Sequence, residues 1–353
     1  MIKYLGSKRL LLPAILDVIR PLKGVRSAVD LFSGTSRVGH ALKGAGLRVL
    51  ANDHNAFAAT LARCYVQADA GDVQADAERL IAELNALPGA LGYFTETFCE
   101  KSRFFQPKNG ARVDAIREAI ARKALPPELE AVLLVSLMEA ADRVDSTTGV
   151  QMAYLKAWAP RSFNDLTLRL PAVLPRARHG KGETHALDAV EAATLLEADL
   201  MYLDPPYNHH KYLGNYHIWE SLVRWDKPEV FGVACKRVDC QTRRSVFNAR
   251  GKSLDALRHI VMTTRARYLL VSFSDEGHIS RADLEAMLAE RGRVTVLALD
   301  HKRYVGAKIG ICNPAGERIG TVGHLDNTEY LFLVSPPARR RASARSTLAS
   351  APR

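Results

Sequence analysis

Two short apolar runs near the start of the chain each end in a polar loop. RSAVDLF runs into the loop SGTSRVG, and the strand predicted at about 48–51 in LRVLANDHN ends before Asp53. Apolar runs bounded by glycine-bearing or acidic loops are typical of buried strands. Ahead of them, apolar residues recur at helical spacing from Leu11 to Ile19, with Ser7 as the expected N-cap. Two strand-loop-helix units predict a doubly wound α/β sheet.

The same alternation returns after residue 184. Four further runs have the length and apolar character of buried strands. They are LMYL (200–203), YLLVSFS (268–274), RVTVLALD (293–300) and EYLFLVS (329–335). Only a glycine-rich basic loop joins the last two, which predicts an antiparallel hairpin at the end of an otherwise parallel sheet. The expected fold is therefore α/β and mostly parallel.

Between these two parts the pattern is mostly helical. Residues 72–87 place their apolar side chains on one helical face, and 111–143 predict two helices around LPPELE. We therefore interpret 71–184 as a largely helical insertion into one α/β domain, which is formed by 1–70 and 185–335.

Charge changes this picture only modestly. The 353-residue chain has 49 Lys and Arg against 38 Asp and Glu, a formal net charge of +11. Residues 336–353 hold five arginines, no acid and few large apolar side chains, so we expect a disordered basic tail there. The excess that remains favours a polyanionic partner such as DNA or RNA.

The cysteines argue against a disulfide framework or a metal cluster. There are five, an odd number, and none forms a Cys-x-x-Cys pair. We therefore expect no metal and a reducing, cytoplasmic location. No segment reaches the roughly 18 consecutive apolar residues of a membrane span, so we expect no membrane partner.

Three acids stand at the ends of predicted strands: Asp30, Asp53 and Asp204. Open α/β sheets bind ligands beyond the carboxyl ends of their strands. The loop SGTSRVG offers two glycines for close backbone approach but does not match the G-x-G-x-x-G dinucleotide pattern. Loop and acids therefore suit a nucleoside without a pyrophosphate, with Asp53 accepting hydrogen bonds from ribose hydroxyls. Each acid alone is equally consistent with a turn or a helix cap.

The motif DPPY, residues 204–207, indicates a more specific chemistry. An exocyclic amine of adenine or cytosine is a poor nucleophile, because its lone pair is delocalised into the ring. The Asp204 carboxylate and the Pro205 carbonyl can each accept one N–H, which frees that lone pair, while Pro205 and Pro206 fix the backbone. Tyr207 offers a face for stacking, worth about 1–3 kcal/mol per base. The motif predicts a clamp for a planar amine.

Three motifs in this order resemble those of the Dam-like, alpha-group adenine-N6 DNA methyltransferases. They are KYLGSKR (3–9), DLFSGTSRVG (30–39) and DPPY (204–207). The resemblance implies a Rossmann-like fold that uses S-adenosylmethionine as its cofactor. It also implies methyl transfer to the N6 amine of an adenine that is flipped out of double-stranded DNA. The implied catalytic residues are Asp204, Pro205, Pro206 and Tyr207.

The same resemblance assigns the cofactor contacts. The N-terminal motif helps to hold the cofactor through Tyr4, Gly6, Ser7 and Lys8. The loop that surrounds the methionine end of the cofactor contributes Asp30, Phe32, Ser33, Gly34 and Thr35. Asp53 corresponds to the ribose-binding acid and Asp188 to the residue that meets the adenine. Ser36 and Arg37 stand where the family often has two small residues.

Target recognition is expected from the insertion and from a basic segment, residues 235–252. This segment follows the catalytic loop, which holds the DPPY motif. The candidate DNA contacts are Lys101, Arg103, Lys236, Arg237, Arg243 and Arg244. A solvated surface is the alternative for any one of them.

The biological setting follows from the resemblance alone. A bacterial or phage origin, association with the nucleoid and a cognate restriction endonuclease as partner are expectations of this kind. Two other interpretations stay open: an RNA amino-group methyltransferase, and a nucleic-acid-binding protein of the same fold without turnover.

Overall fold

The computed structural model describes residues 1–207, 211–249, 251–302, 311–312, 318–320 and 326–337. The expected tail lies, from residue 338 onward, outside this part of the chain. The helices are α1 (Leu12–Ile19), α2 (Arg37–Gly44), α3 (Ala56–Ala62), α4 (Ala70–Ala86), α5 (Tyr93–Thr95), α6 (Pro107–Arg122), α7 (Pro127–Arg143), α8 (Ala189–Leu195), α9 (Tyr212–Asn215), α10 (His217–Arg224), α11 (Ser253–Thr263) and α12 (Arg281–Ala289). The expected pair of helices around LPPELE is confirmed as α6 and α7.

The strands form one large sheet and two small ribbons. Their bounds are β1 (Ser27–Asp30), β2 (Arg48–Asn52), β3 (Glu183–His185), β4 (Leu200–Leu203), β5 (Val230–Phe231), β6 (Lys236–Arg237), β7 (Tyr268–Ser274), β8 (Arg293–Lys302), β9 (Ile311–Cys312), β10 (Arg318–Gly320) and β11 (Asp326–Ser335). The large sheet has the order β3-β2-β1-β4-β7-β11-β8.

The topology of the large sheet confirms the Rossmann-like expectation. β3, β2, β1, β4 and β7 run parallel, whereas β11 is antiparallel to both of its neighbours, β7 and β8. Parallel strands that are covered on both faces are continuously apolar, and all four residues of β4 are buried. The expected antiparallel hairpin corresponds to β8 and β11. β11 lies between β7 and β8, so β8 is the edge strand of the sheet.

Helices cover the sheet on two sides. Leu257 and Ile260 of α11 and Leu284 of α12 pack in one core cluster, and Ile15 of α1 and Leu42 of α2 lie in another. This packing holds the ends of the strands, and therefore the acids at those ends, at one edge of the sheet.

The insertion does not form a core of its own. Phe94, Phe98 and Phe105 lie in the same buried cluster as Phe57 of α3 and Trp219 of α10. Its last residues enter β3, which pairs in parallel with β2 at the edge of the sheet. The proposed boundaries at 71 and 184 therefore separate segments of sequence that share one core.

The start of the chain corrects one expectation. Lys8–Leu10 form a 3-10 turn ahead of α1, and the Ser7 side chain accepts no hydrogen bond from it. The N-terminal segment is held instead by α7 and the loop after it: the Met1 amino group pairs with Glu139, and Lys3 Nζ lies 2.8 Å from Asp145 Oδ1. These contacts leave residues 4–8 beside the strand ends.

Candidate active site

The strand ends of β1, β2 and β4 open into one cleft of about 1060 Å³, counted to its open mouth. The cleft is lined by all eleven residues expected to contact the cofactor, and also by Asp204 and Pro206. The set is Tyr4, Gly6, Ser7, Lys8, Asp30, Phe32, Ser33, Gly34, Thr35, Asp53, Asp188, Asp204 and Pro206. Positions as far apart in sequence as Tyr4 and Pro206 thus meet at one edge of the sheet.

Asp30 shapes the loop after β1 as well as lining the cleft. Its Oδ2 accepts hydrogen bonds from the Gly39 backbone N–H (3.0 Å) and from Ser33 Oγ (3.2 Å). A Cβ at Gly39 would lie 2.9 Å from Val66 and 3.0 Å from this same oxygen, so the position requires glycine. Burial raises the pKa of Asp30 to about 7, against the opposing effect of these two hydrogen bonds.

Gly34 lets an aromatic ring approach the same loop. Its φ is +52°, and a Cβ there would lie 3.3 Å from the Tyr4 hydroxyl oxygen. The Tyr4 ring stacks on Tyr212 (5.3 Å between centroids) and on Tyr216 (4.6 Å). This stack joins the N-terminal motif to α9, the helix that follows the catalytic loop.

Asp53, which follows β2, contacts the loop after β1 at Gly34. Its Oδ2 accepts from the Gly34 N–H at 3.1 Å, and its Oδ1 accepts from the Asn55 backbone N–H at 3.0 Å. Burial raises the pKa of this carboxyl. Asn55 Oδ1 is buried and has no hydrogen-bond partner among the described residues.

The loop after β4 is held on both sides. Asp204 is partly exposed to the cleft, and Pro205 is buried. The Tyr207 carbonyl accepts a hydrogen bond from the His278 N–H at 2.8 Å, and the Tyr207 ring packs against Phe273 with 5.7 Å between centroids. The motif therefore has a fixed backbone, as the two prolines predict.

Lys8, which is expected to contact the cofactor, also forms an ion pair with Asp204. Its Nζ lies 3.1 Å from Asp204 Oδ1 and 2.5 Å from Glu329 Oε1. Burial raises the pKa of Asp204 to about 6, with Lys8 lowering it and Glu329 raising it. Burial alone would lower the pKa of Lys8, but the two carboxylates raise it well above its usual value.

Arg237 is not at the surface, which corrects its assignment as a DNA contact. It is 2% exposed and makes paired hydrogen bonds to Asp226 (2.7 and 2.8 Å) and to Asp239 (3.1 and 3.2 Å). A buried arginine between two carboxylates stabilises a loop and has no donors left in a position to meet phosphates.

The other candidate DNA contacts divide by their partners. Arg243 is bound to the buried Glu220 at 2.9 Å and lines the cleft. Exposed Lys101 pairs with Glu96, and exposed Arg103 lies over the Trp158 ring at 4.9 Å. Lys236 is partly exposed, with its Nζ at 3.2 Å from Met152 Sδ, and Arg244 is exposed. All but Arg237 remain predictions for DNA contact.

Several residues of the cleft were not predicted from the sequence. Phe247 meets the expected Phe32 edge to face at 5.0 Å, and Arg37, Asn55 and Tyr212 also line the cleft. Asn55 follows Asp53 by two positions, so the strand-end rule could have found it. Phe247 lies in an irregular stretch that has no periodic signal.

Every helix in the described ranges is too short or too polar to span a membrane. No group of three or more His, Cys, Asp or Glu side chains is placed to hold a metal ion in the same ranges.

Residues 4–287 match the family model of the D12 class N6 adenine-specific DNA methyltransferases. The chain belongs to this family. The match includes DLFSGTSRVG, DPPY and all of KYLGSKR except Lys3, and it confirms the resemblance. It also spans the insertion between β2 and β3.

Curated relatives of this D12 class chain are modification enzymes. It is 29% identical over 321 residues to the modification methylase StsI of Streptococcus sanguinis, covering 86% of this chain and 48% of the relative. It is 29% identical over 309 residues to the type II methyltransferase M.FokI of Planomicrobium okeanokoites, covering 82% and 47%. The chain thus spans about half the length of these two relatives. M.NlaIII of Neisseria lactamica is 26% identical over 289 residues, covering 79% of this chain and 84% of the relative.

Proposed function

We propose that this chain transfers a methyl group from S-adenosylmethionine to the N6 amine of adenine in a short sequence of double-stranded DNA. The observation that carries the proposal is the position of Asp204 and Pro205. They directly follow β4, and Asp204 lines the cleft that also collects every residue expected to contact the cofactor. Family membership supports the same reaction.

The cleft fits S-adenosylmethionine along its length. Arg37 lines it, and its Nε is buried without a hydrogen-bond partner among the described residues, which suits the methionine carboxylate. Asp53 and the unpartnered Asn55 Oδ1 can accept hydrogen bonds from ribose hydroxyls. Phe32 and Phe247 supply apolar edges for a purine, and Asp188 also lines the cleft.

The chain's own residues act on the amine. When bound, S-adenosylmethionine supplies an electrophilic methyl group on a sulfonium. Asp204 and the Pro205 carbonyl each accept one N–H, which turns the N6 lone pair out of the ring and toward that methyl. Tyr207, fixed by Phe273 and His278, supports the base. Correct alignment of reacting groups accounts for as much as about 7–11 kcal/mol of barrier reduction in oriented reactions.

Asp204 also has the right charge for the step. Once N6 has bonded to the methyl, it carries a positive charge until one of its protons leaves. A carboxylate that already accepts an N–H stabilises that charge and can take the proton. Its raised pKa, about 6, keeps it ionised at neutral pH and still basic enough to accept a proton.

The biological role and the partners of the chain are also proposals. Two of the relatives above are type II methyltransferases and one is a modification methylase, so a cognate restriction endonuclease is the partner to seek. Lys236, Arg243, Arg244, Lys101 and Arg103 are the proposed DNA contacts. A cytoplasmic, nucleoid-associated location remains an expectation.

Long-read sequencing of DNA from a methylation-deficient bacterial host tests this proposal. The host expresses the chain or, as the matched control, its Asp204→Ala variant. We expect modified adenines in one short motif with the chain and none with the variant. If the DNA carries no mark, labelled-methyl transfer to total RNA distinguishes an RNA methyltransferase from a protein without turnover, and either result refutes the DNA proposal.

A further inference from the structure

A buried cluster of three charges stands behind the catalytic loop. Lys8 Nζ lies between Asp204 Oδ1, at 3.1 Å, and Glu329 Oε1, at 2.5 Å. Ser272 Oγ donates a hydrogen bond to the same Glu329 oxygen at 2.7 Å. Glu329 does not line the cleft, and none of the three motifs includes it.

The sheet places these groups side by side. Leu203 of β4 pairs with Val271 of β7, so Ser272 is level with Asp204 on the neighbouring strand. β11, which carries Glu329, is the next strand. The exposed fractions are 6% for Lys8, 7% for Glu329 and 0% for Ser272. The cluster is therefore held by three adjacent strands and the N-terminal turn.

Glu329, the second acid beside Lys8, changes the net charge of the cluster. A buried carboxylate is costly to desolvate, and Lys8 with Asp204 alone would already be a neutral pair. In such a pair the ammonium would neutralise the oxygen that the amine must use. With Glu329 present, one positive charge is shared by two carboxylates, and the cluster keeps a formal charge of −1.

We propose that Glu329 is a positioning residue for methyl transfer: it holds Lys8 between two carboxylates, so that Asp204 stays oriented and its negative charge is only partly offset by Lys8. This inference rests on the proposed function. During the step the N6 lone pair forms the new N–C bond, the methyl–sulfur bonding pair returns to sulfur, and N6 then gives one proton to the Asp204 carboxylate. The charge that Asp204 keeps stabilises N6 between these two events.

The groups around Asp204 define the expected pH behaviour. Those facing it are Lys8 from the N-terminal turn, Glu329 from β11, Tyr202 from β4, Tyr207 from the catalytic loop, Tyr212 from α9, Tyr4, and Asp30 from β1. The tyrosines have raised pKa values and stay neutral near pH 6. Glu329 raises the pKa of Asp204, so removing its charge should lower that pKa, and activity should persist to lower pH.

The test compares Glu329→Gln with the wild-type chain in single-turnover methyl transfer to duplex DNA across the acidic range. We expect the rate on the plateau to fall roughly 10- to 100-fold, less than the loss of a group that contacts the developing charge. We also expect the acidic limb to move to lower pH, with cofactor affinity by calorimetry unchanged. A lower rate with an unmoved limb, or a parallel loss of cofactor binding, would mean a purely structural role and would overturn the inference.

A titration that needs no turnover separates this inference from the proposed function. NMR of the carboxyl carbon of Asp204, assigned by comparison with Asp204→Asn, should show a lower midpoint in Glu329→Gln. Ser272→Ala keeps both carboxylates but removes the hydrogen bond that stabilises the Glu329 charge, so Lys8 should be drawn toward Glu329 and the midpoint of Asp204 should rise. This variant serves if Glu329→Gln does not fold. Glu290→Gln, an exposed site paired with Arg258, is the control that should change nothing.

An unmoved midpoint overturns the inference whether or not the chain methylates DNA. A moved midpoint in a chain that methylates nothing would support the charge coupling and refute the proposed function.

Discussion

Carboxylates in the cleft and in the basic segment behind it are perturbed in opposite directions. In the cleft, burial raises the pKa of Asp30 to about 7 and that of Asp204 to about 6. Around Arg237, burial also acts on Asp226 and Asp239, but the arginine outweighs it and lowers both pKa values. The cleft therefore keeps negative charge that is not fully neutralised. The carboxylates around Arg237 are neutralised by that arginine.

This difference separates a reactive site from a structural one. Incompletely paired charge in a cleft costs stability and is retained where a ligand or substrate uses it. Paired charge between two loops stabilises their contact and leaves nothing for a partner. We therefore expect substitutions in the cleft to change catalysis and cofactor binding, and substitutions at Arg237 to change stability.

The largest effect should come from Asp204→Ala. The amine loses its charged acceptor, so methyl transfer under saturating conditions should fall by about 1000-fold. Calorimetry should show cofactor affinity close to that of the wild type, because Asp204 meets the amine and not the cofactor. Turnover within tenfold of the wild type would contradict the assignment of the cleft as the reactive site.

Arg237→Ala should destabilise the fold by about 3 kcal/mol, since it leaves Asp226 and Asp239 without their shared partner. Chemical denaturation measures this loss. The adjacent Lys236→Ala is the matched control, because Lys236 makes no ion pair among the described residues and should change stability by less than about 0.5 kcal/mol. Equal losses in the two variants would contradict a structural role specific to Arg237.

Asp53→Ala should weaken cofactor binding by roughly 10- to 100-fold, as expected for losing hydrogen bonds to a charged group. The single-turnover rate at saturating cofactor should change little. Asp53→Asn keeps an acceptor at the same place and should lose less. A variant that binds cofactor normally but reacts slowly would move Asp53 from the cofactor side to the amine side of the cleft.

The smallest effect should come from Arg244→Ala, at an exposed position beside the paired arginines. We expect DNA affinity to fall a few-fold, and the salt dependence of log Kd to decrease by about 0.9, the value for one phosphate contact. Fluorescence anisotropy at several salt concentrations measures both. A variant with an unchanged salt slope would place the DNA backbone elsewhere.

Sequence reasoning located the cleft because strand ends obey a simple rule. An acid after a short buried run falls at the carboxyl edge of a parallel sheet wherever the run lies in the chain, which brought together Asp30, Asp53 and Asp204. The mostly parallel character of the sheet and its C-terminal hairpin followed from the same runs, whereas the order of the strands came from the structure.

The rest depended on partners that no local pattern encodes. Arg237 reads as a basic surface residue until Asp226 and Asp239 are placed beside it. Lys8 could be assigned to its motif but not to Glu329, which lies 321 positions away and reaches Lys8 only through the antiparallel pairing of β11 with β7. Long-range charge pairing is set by tertiary contacts, so it appears only in the structure.

The most direct test of the central claim is nucleoside mass spectrometry of duplex DNA incubated with the purified chain and S-adenosylmethionine that carries a deuterated methyl group. We expect N6-methyladenine with the deuterated methyl from the wild type, and none above background from Asp204→Ala. Label on cytosine, equal label from the variant, or an unlabelled product from a chain that binds the cofactor would contradict the assignment of this cleft to adenine-N6 methylation.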